Sequence, residues 1–186
     1  MEALQPTPDA ELMERTARGD REAYASLIRR HQALVFSIAF RYLGNRPEAQ
    51  DASQEVFLRL WSAAPRFRPE KPLPAFLRTL TVNLCLDWRR KPRLLPLEDP
   101  DGRPGGDDPL AHAEDAEIRS RLSLALKELP PRQRMAVVLF HQEGATLREA
   151  AEAMDLSGKA VESLLSRARA ALRERLGPLL DLKGGA

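Results

Sequence analysis

Thr146-Leu147-Arg148-Glu149-Ala150-Ala151-Glu152-Ala153-Met154, then Asp155-Leu156-Ser157, then Gly158-Lys159-Ala160-Val161-Glu162-Ser163-Leu164-Leu165-Ser166-Arg167-Ala168-Arg169, is the stretch that decides the fold. Thr146 and Glu149 have the spacing of a capping box, in which a hydroxyl takes an orphan amide and the Glu reaches back. Leu147, Ala150, Ala151 and Met154 fall on one apolar helical face. Asp155 tolerates the left-handed conformation of a tight turn, and Ser157 is placed to cap the next helix. That second helix turns Ala160, Val161, Leu164, Leu165, Ala168 and Leu172 inward and presents Lys159, Glu162, Ser163, Ser166, Arg167 and Arg169 outward. This pattern predicts a helix-turn-helix whose second helix fits a major groove. The plainer reading is a helical hairpin with a solvated face. From Lys159 to Arg175 the cations Lys159, Arg167, Arg169, Arg173 and Arg175 stand against Glu162 and Glu174, a modest excess.

The rest of the chain supplies the context. With 186 residues and 43% hydrophobic content it can hold one domain or two small ones, and two need a linker. That linker is visible from residue 94 to 113, where Pro96, Pro100, Pro104 and Pro109 alternate with Gly102, Gly105 and Gly106. From Glu98 to Glu117 the acids Glu98, Asp99, Asp101, Asp107, Asp108, Glu114, Asp115 and Glu117 face Arg103 alone, so the strip is acidic and extended. The net charge of +2 therefore conceals two basic bodies, which suit a polyanionic partner. The lone Cys85 excludes an internal disulfide and fits a reducing cytoplasm. Three scattered histidines give no metal-ligand spacing, and no cofactor motif appears. Met1 to Ala10 lacks the form of a signal peptide, and no apolar run reaches transmembrane length. The expectation is an all-α cytoplasmic protein without membrane insertion, metal, cofactor or catalytic constellation.

In chain order, Asp9 is expected to cap a first helix with Leu12, Met13, Thr16 and Ala17 inward, and Asp20 to cap a second. The second keeps helical spacing from Tyr24 through Leu27, Ile28, His31, Leu34, Val35, Ile38, Ala39 and Tyr42 to a stop at Gly44, with His31 as a structural residue. Asn45-Arg46-Pro47-Glu48 opens a third, buried along Ala49, Ala52, Val56 and Leu60. Its other face, with Asp51, Gln54, Glu55, Leu58 and Arg59, mixes charge, amide and leucine in the manner of a docking surface, although a solvated face fits as well. After a proline-punctuated loop from Pro65 to Pro74, a fourth helix to about Lys91 carries Phe76, Leu77, Leu80, Leu84 and Trp88 inward and Thr79, Asn83, Asp87 and Arg90 on another face. Arg89, Arg90, Lys91 and Arg93 form a cationic end, expected from the macrodipole and also suited, beside aromatics, to single-stranded DNA. Beyond the linker, Glu114 to Leu129 is expected to turn Ile118, Leu122, Ala125, Leu126 and Leu129 inward, and Arg132 to Gln142 to bury Met135, Val138 and Leu139.

Three of these segments together resemble the bacterial RNA polymerase sigma factors of the small, two-domain extracytoplasmic-function group: Asp51 to Trp61, Phe76 to Arg90, and Leu129 to Arg134 continuing through Val161 to Arg169. The resemblance spans nearly the whole chain. It implies an alternative sigma factor that binds core RNA polymerase, directs it to promoters and starts their melting. It implies an N-terminal helical domain over residues 9–93, the linker over 94–113 and a helix-turn-helix domain over 114–178. On this resemblance Asp51, Gln54, Glu55, Leu58 and Arg59 dock on the polymerase. Phe67, Lys71, Asn83, Arg89 and Arg90 face the single-stranded minus-10 element, with Asn83 holding a flipped base. Lys159, Glu162, Ser163, Ser166, Arg167 and Arg169 read the minus-35 duplex, where Arg partners guanine and Glu accepts from cytosine. The linker stands in for RNA in the exit path, and an anti-sigma factor is a further expected partner. Two departures, Lys71-Pro72-Leu73-Pro74 before the fourth helix and Glu162 where relatives carry a cation, point to promoter preferences particular to this chain. The competing reading is a helix-turn-helix regulator with an N-terminal sensing domain, which leaves the Asp51–Trp61 face and Asn83 unexplained.

Overall fold

Capping chemistry sets where the helices begin. The computed structural model describes residues 7–68, 72–90 and 121–180, apart from the side chains of Arg90, Pro178, Leu179 and Leu180. Helix α1, Asp9–Ala17, starts after Pro8. Asp9 is not its cap, because its carboxylate is drawn across to α2, Arg21–Leu43, where it pairs with Arg30 and lies 2.8 Å from His31 Nε2. His31 is thus a buried structural tie between α1 and α2. Asp20 caps α2 as expected, accepting from the amides of Glu22 and Ala23, and Gly44 ends it at φ 71°. Asn45 caps α3, Arg46–Ala63, by accepting from Glu48 N at 2.9 Å. Ala49, Ala52, Val56, Phe57 and Leu60 of α3 are buried. A short 3-10 turn, Ala64–Arg66, leads to Phe67, and after the loop comes α4, Leu73–Arg90.

Among the described residues the C-terminal half begins with α5 over residues 121–127, and the expected earlier part of this helix, with Glu114 and Ile118, lies outside them. The expected helix to Leu129 stops two residues early, because the following Pro130 disfavours helical backbone at the residue before it. Leu122, expected inward, is 38% exposed, while Ala125 and Leu129 are buried. Next comes α6, Pro131–Val137, running into a π-helical turn, Val138–Gln142. The helix-turn-helix then forms as its sequence dictates. Thr146 and Glu149 complete both bonds of the capping box at α7, Leu147–Met154, and Asp155 turns left-handed at φ 52°. Ser157 Oγ accepts from Ala160 N at the start of α8, Gly158–Leu180.

The two halves meet, and their buried residues form one continuous core. Sequence periodicity placed one apolar stripe on α4, but Val82 and Leu86, on the side of the helix away from Leu77 and Leu84, are buried as well. The cause is that α4 packs against α7 and α6 on that side. Polar contacts border the joint. Glu143 accepts from Ser37 Oγ at 2.6 Å and pairs with Arg41 at 3.0 Å, and Arg41 also donates to the Gln142 carbonyl at 2.6 Å. Arg78 reaches Glu149 at 3.3 Å, and Arg134, 5% exposed, lies over the Tyr42 ring at 5.4 Å.

Glu149 therefore serves both its own helix start and the joint. The Thr146 amide, then the Thr146 hydroxyl, then Arg78 across the joint hold its carboxyl below the ordinary glutamate range. A lowered folded pKa gives stability that is present above the unfolded pKa and is lost as pH falls through the folded one. Urea midpoints should accordingly fall as pH drops below the ordinary glutamate pKa, and Glu149→Gln should flatten that slope while lowering the midpoint at neutral pH. An identical acid slope in wild type and variant would remove Glu149 from this role.

Candidate nucleic-acid interface

The helix-turn-helix projects its second helix outward. In α8, Val161, Leu165 and Ala168 are buried against α6 and α7. Lys159, Glu162, Ser166, Arg167 and Arg169 are exposed, and Ser163 is half-buried beside them. None of the four charged members Lys159, Glu162, Arg167 or Arg169 forms an ion pair among the described residues, so this face keeps its hydrogen-bonding capacity. Arg175, further along, pairs with Glu128 at 2.8 Å and braces α8 against the end of α5.

On α4, Asn83 is exposed and its amide makes no hydrogen bond among the described residues. It shares a face with half-buried Phe76, two turns earlier, and Phe67 of the loop meets Phe76 edge-to-face at 5.3 Å. An unengaged amide on the same face as partly open aromatic rings offers both hydrogen bonding and stacking to unpaired bases. Arg89 is exposed, and its Nη2 donates to the Leu43 carbonyl at 3.2 Å, at the C-terminus of α2. Lys71, the side chain of Arg90 and the linker 94–113 lie outside the described residues.

The third face is on α3. Asp51, Gln54 and Arg59 are exposed, Glu55 is half-buried and Leu58 is 60% exposed, all opposite the buried stripe. Arg59 pairs with Glu55 at 2.8 Å, one turn back, which holds the charged pair beside the leucine. Among the described residues no group of three His, Cys, Asp or Glu could hold a metal, and burial pushes the Cys85 thiol up to about 12. No described helix is long and apolar enough to cross a membrane.

The described architecture is thus a helix-turn-helix with an open outer face, packed against a second helical half that carries an exposed amide and aromatics. The sequence matches the family models for Sigma-70 region 2 at residues 27–94 and Sigma-70, region 4 at residues 119–172. It is 35% identical to the ECF RNA polymerase sigma factor SigE of Mycolicibacterium smegmatis over 86% of this chain, which spans 65% of that protein's length. It is 32% identical to ECF RNA polymerase sigma factor SigM of Mycobacterium tuberculosis, covering 92% of this chain and 86% of SigM. The solved structure of CnrH in complex with the cytosolic domain of CnrY superposes with TM-score 0.64 at 28% identity, over 94% of this chain and 97% of CnrH. The chain belongs to the extracytoplasmic-function RNA polymerase sigma factors. It is an alternative sigma factor, and the region 2 match disfavours the regulator with a sensing domain.

Proposed function

We propose that this sigma factor divides its work among three exposed faces, with the domain boundaries at 9–93 and 114–178. On α3, Asp51, Gln54, Glu55, Leu58 and Arg59 dock on core RNA polymerase. On α4 and its preceding loop, Asn83 and Phe67 hold an unpaired minus-10 base, with Lys71 and Arg90 supplying charge to the strand. On α8, Lys159, Glu162, Ser163, Ser166, Arg167 and Arg169 read the minus-35 duplex. The acidic linker 94–113 occupies the path of RNA, its carboxylates standing in for phosphates. The chain works in the cytoplasm as a non-catalytic subunit. An anti-sigma protein is its further partner, as the cytosolic domain of CnrY is found with CnrH.

The observation that carries this reading is the exposure of Asn83 and Leu58, polar and apolar side chains that their own helices do not use for packing. The direct test is run-off transcription with purified core polymerase and this chain; core-independent operator binding with no promoter-dependent transcript would sink it. The minus-35 assignment has its own test. Arg167→Ala should cost about 1–3 kcal/mol at one promoter position and relax preference there. Arg173→Ala should change affinity evenly or not at all. Equal losses for both across a set of minus-35 variants would reduce Arg167 to a phosphate contact.

A further inference from the structure

Arg134 has no place in the three faces, yet it is the least ordinary residue in the described structure. It is 5% exposed, its Nε is fully buried without a hydrogen-bond partner, and no carboxylate pairs with it among the described residues. Its one described favourable neighbour is the Tyr42 ring. Burying a cation is costly unless it is paired or hydrogen-bonded, and a ring face only partly offsets that.

Two further cations approach the same place from different elements. Gly44, at the end of α2, has no side chain, and the point where a Cβ would stand is 3.4 Å from Arg134 Nη2, 3.1 Å from Lys127 Cε and 3.9 Å from Lys127 Nζ. Lys127, at the end of α5, forms no ion pair among the described residues. Arg89, from α4, is close enough that its charge adds to the effect of burial in lowering the Arg134 guanidinium to about 10. The negative end of α2 accounts for Arg89, which donates to the Leu43 carbonyl, but it supplies Arg134 with no acceptor. Gly44 N already uses the Phe40 carbonyl.

We propose that Arg134, Lys127 and Arg89 around Gly44 form a binding site for a phosphate-class oxyanion at the joint between the two halves. The fork of the guanidinium matches two oxygens of such an anion, and the ammonium supplies a point charge on a third. A dianion neutralises three converging cations better than a carboxylate does. Arg89 belongs to the N-terminal half, and Arg134 and Lys127 to the C-terminal half, so the bound anion ties the closed arrangement together. The site is separate from α3, α8 and the Asn83 face.

The test is calorimetric titration of the full chain with inorganic phosphate against sodium chloride at matched ionic strength. One saturable site is expected in wild type. Lys127→Ala, a change at an exposed side chain, should weaken it roughly tenfold or more, as loss of a charged hydrogen bond does. Arg134→Met should abolish it, and without phosphate this variant should melt at or above the wild-type temperature, since it removes a buried unpaired cation. A parallel titration with a nucleoside monophosphate distinguishes the source: tighter binding than inorganic phosphate assigns the site to nucleotides, and equal binding to the free anion. Absence of saturable binding overturns the proposal. So does binding that survives Lys127→Ala and Arg134→Met but is lost in Arg167→Ala, which would move it to the outer face of α8.

Discussion

A Leu58→Asp, Arg59→Glu double variant is expected to keep its helix content and lose affinity for core RNA polymerase. Leu58 is 60% exposed on a helix whose buried stripe is complete without it, so the folded chain does not depend on this leucine. In a complex, an apolar side chain ringed by Asp51, Gln54, Glu55 and Arg59 has the form of an interface anchor within a polar rim. Loss of such an anchor costs at least about 2 kcal/mol, or roughly thirtyfold in Kd. Burying the new Asp in an apolar pocket adds to that. The Arg59–Glu55 pair is exposed enough that its loss should cost the fold only a few tenths of a kcal/mol. Core binding measured by titration, with circular dichroism as the folding control, checks both halves of the expectation. Undiminished affinity in a folded variant would remove α3 from the docking role.

Asn83→Ala should separate binding from promoter opening. An Asn in a helix interior is normally suspected of making a local or core hydrogen bond, but this one is exposed and makes none among the described residues. Its replacement by Ala removes no described contact and improves helix propensity, so the melting temperature should hold or rise slightly. The variant should still bind core polymerase through α3 and duplex minus-35 DNA through α8. What it lacks is the amide that keeps an extruded base from returning to the stack, an exchange worth a few kcal/mol. Permanganate reactivity of minus-10 thymines with the mutant holoenzyme should drop by an order of magnitude or more, as about 1.4 kcal/mol for each tenfold requires. Wild-type reactivity would show that Asn83 does not hold the base.

The parts of this architecture that could be read from sequence are those set by short-range rules. The capping box at Thr146 and Glu149, the left-handed Asp155, the caps Asp20 and Asn45 and the stop at Gly44 each depend on a few adjacent residues, and all formed. So did the exposed faces, since helical spacing fixes what lies opposite a buried stripe. Long-range pairing was not legible. Asp9 has the identity of a cap but is claimed by Arg30 and His31, more than twenty residues away in sequence. The second buried side of α4, with Val82 and Leu86, arises from contact with α7, which no local pattern encodes. The sequence signal for Arg134 was present, since it stands one turn before Val138 on an apolar face, where a charge needs an explanation.

The closed joint also sets a limit on reach. A compact body the size of the described residues has a radius of gyration of about 14 Å, and so a breadth on the order of 40 Å. The minus-10 and minus-35 elements are named about 25 base pairs apart, which is about 85 Å of duplex. With α8 on one element and Asn83 on the other, as proposed above, the packing of α4 on α7 cannot persist. Promoter engagement would then expose Val82 and Leu86, release Arg78 from Glu149, and lift Arg134 off Tyr42. Glu149 keeps its bonds to Thr146 through that change, so the helix-turn-helix would leave the joint with its own helix start intact.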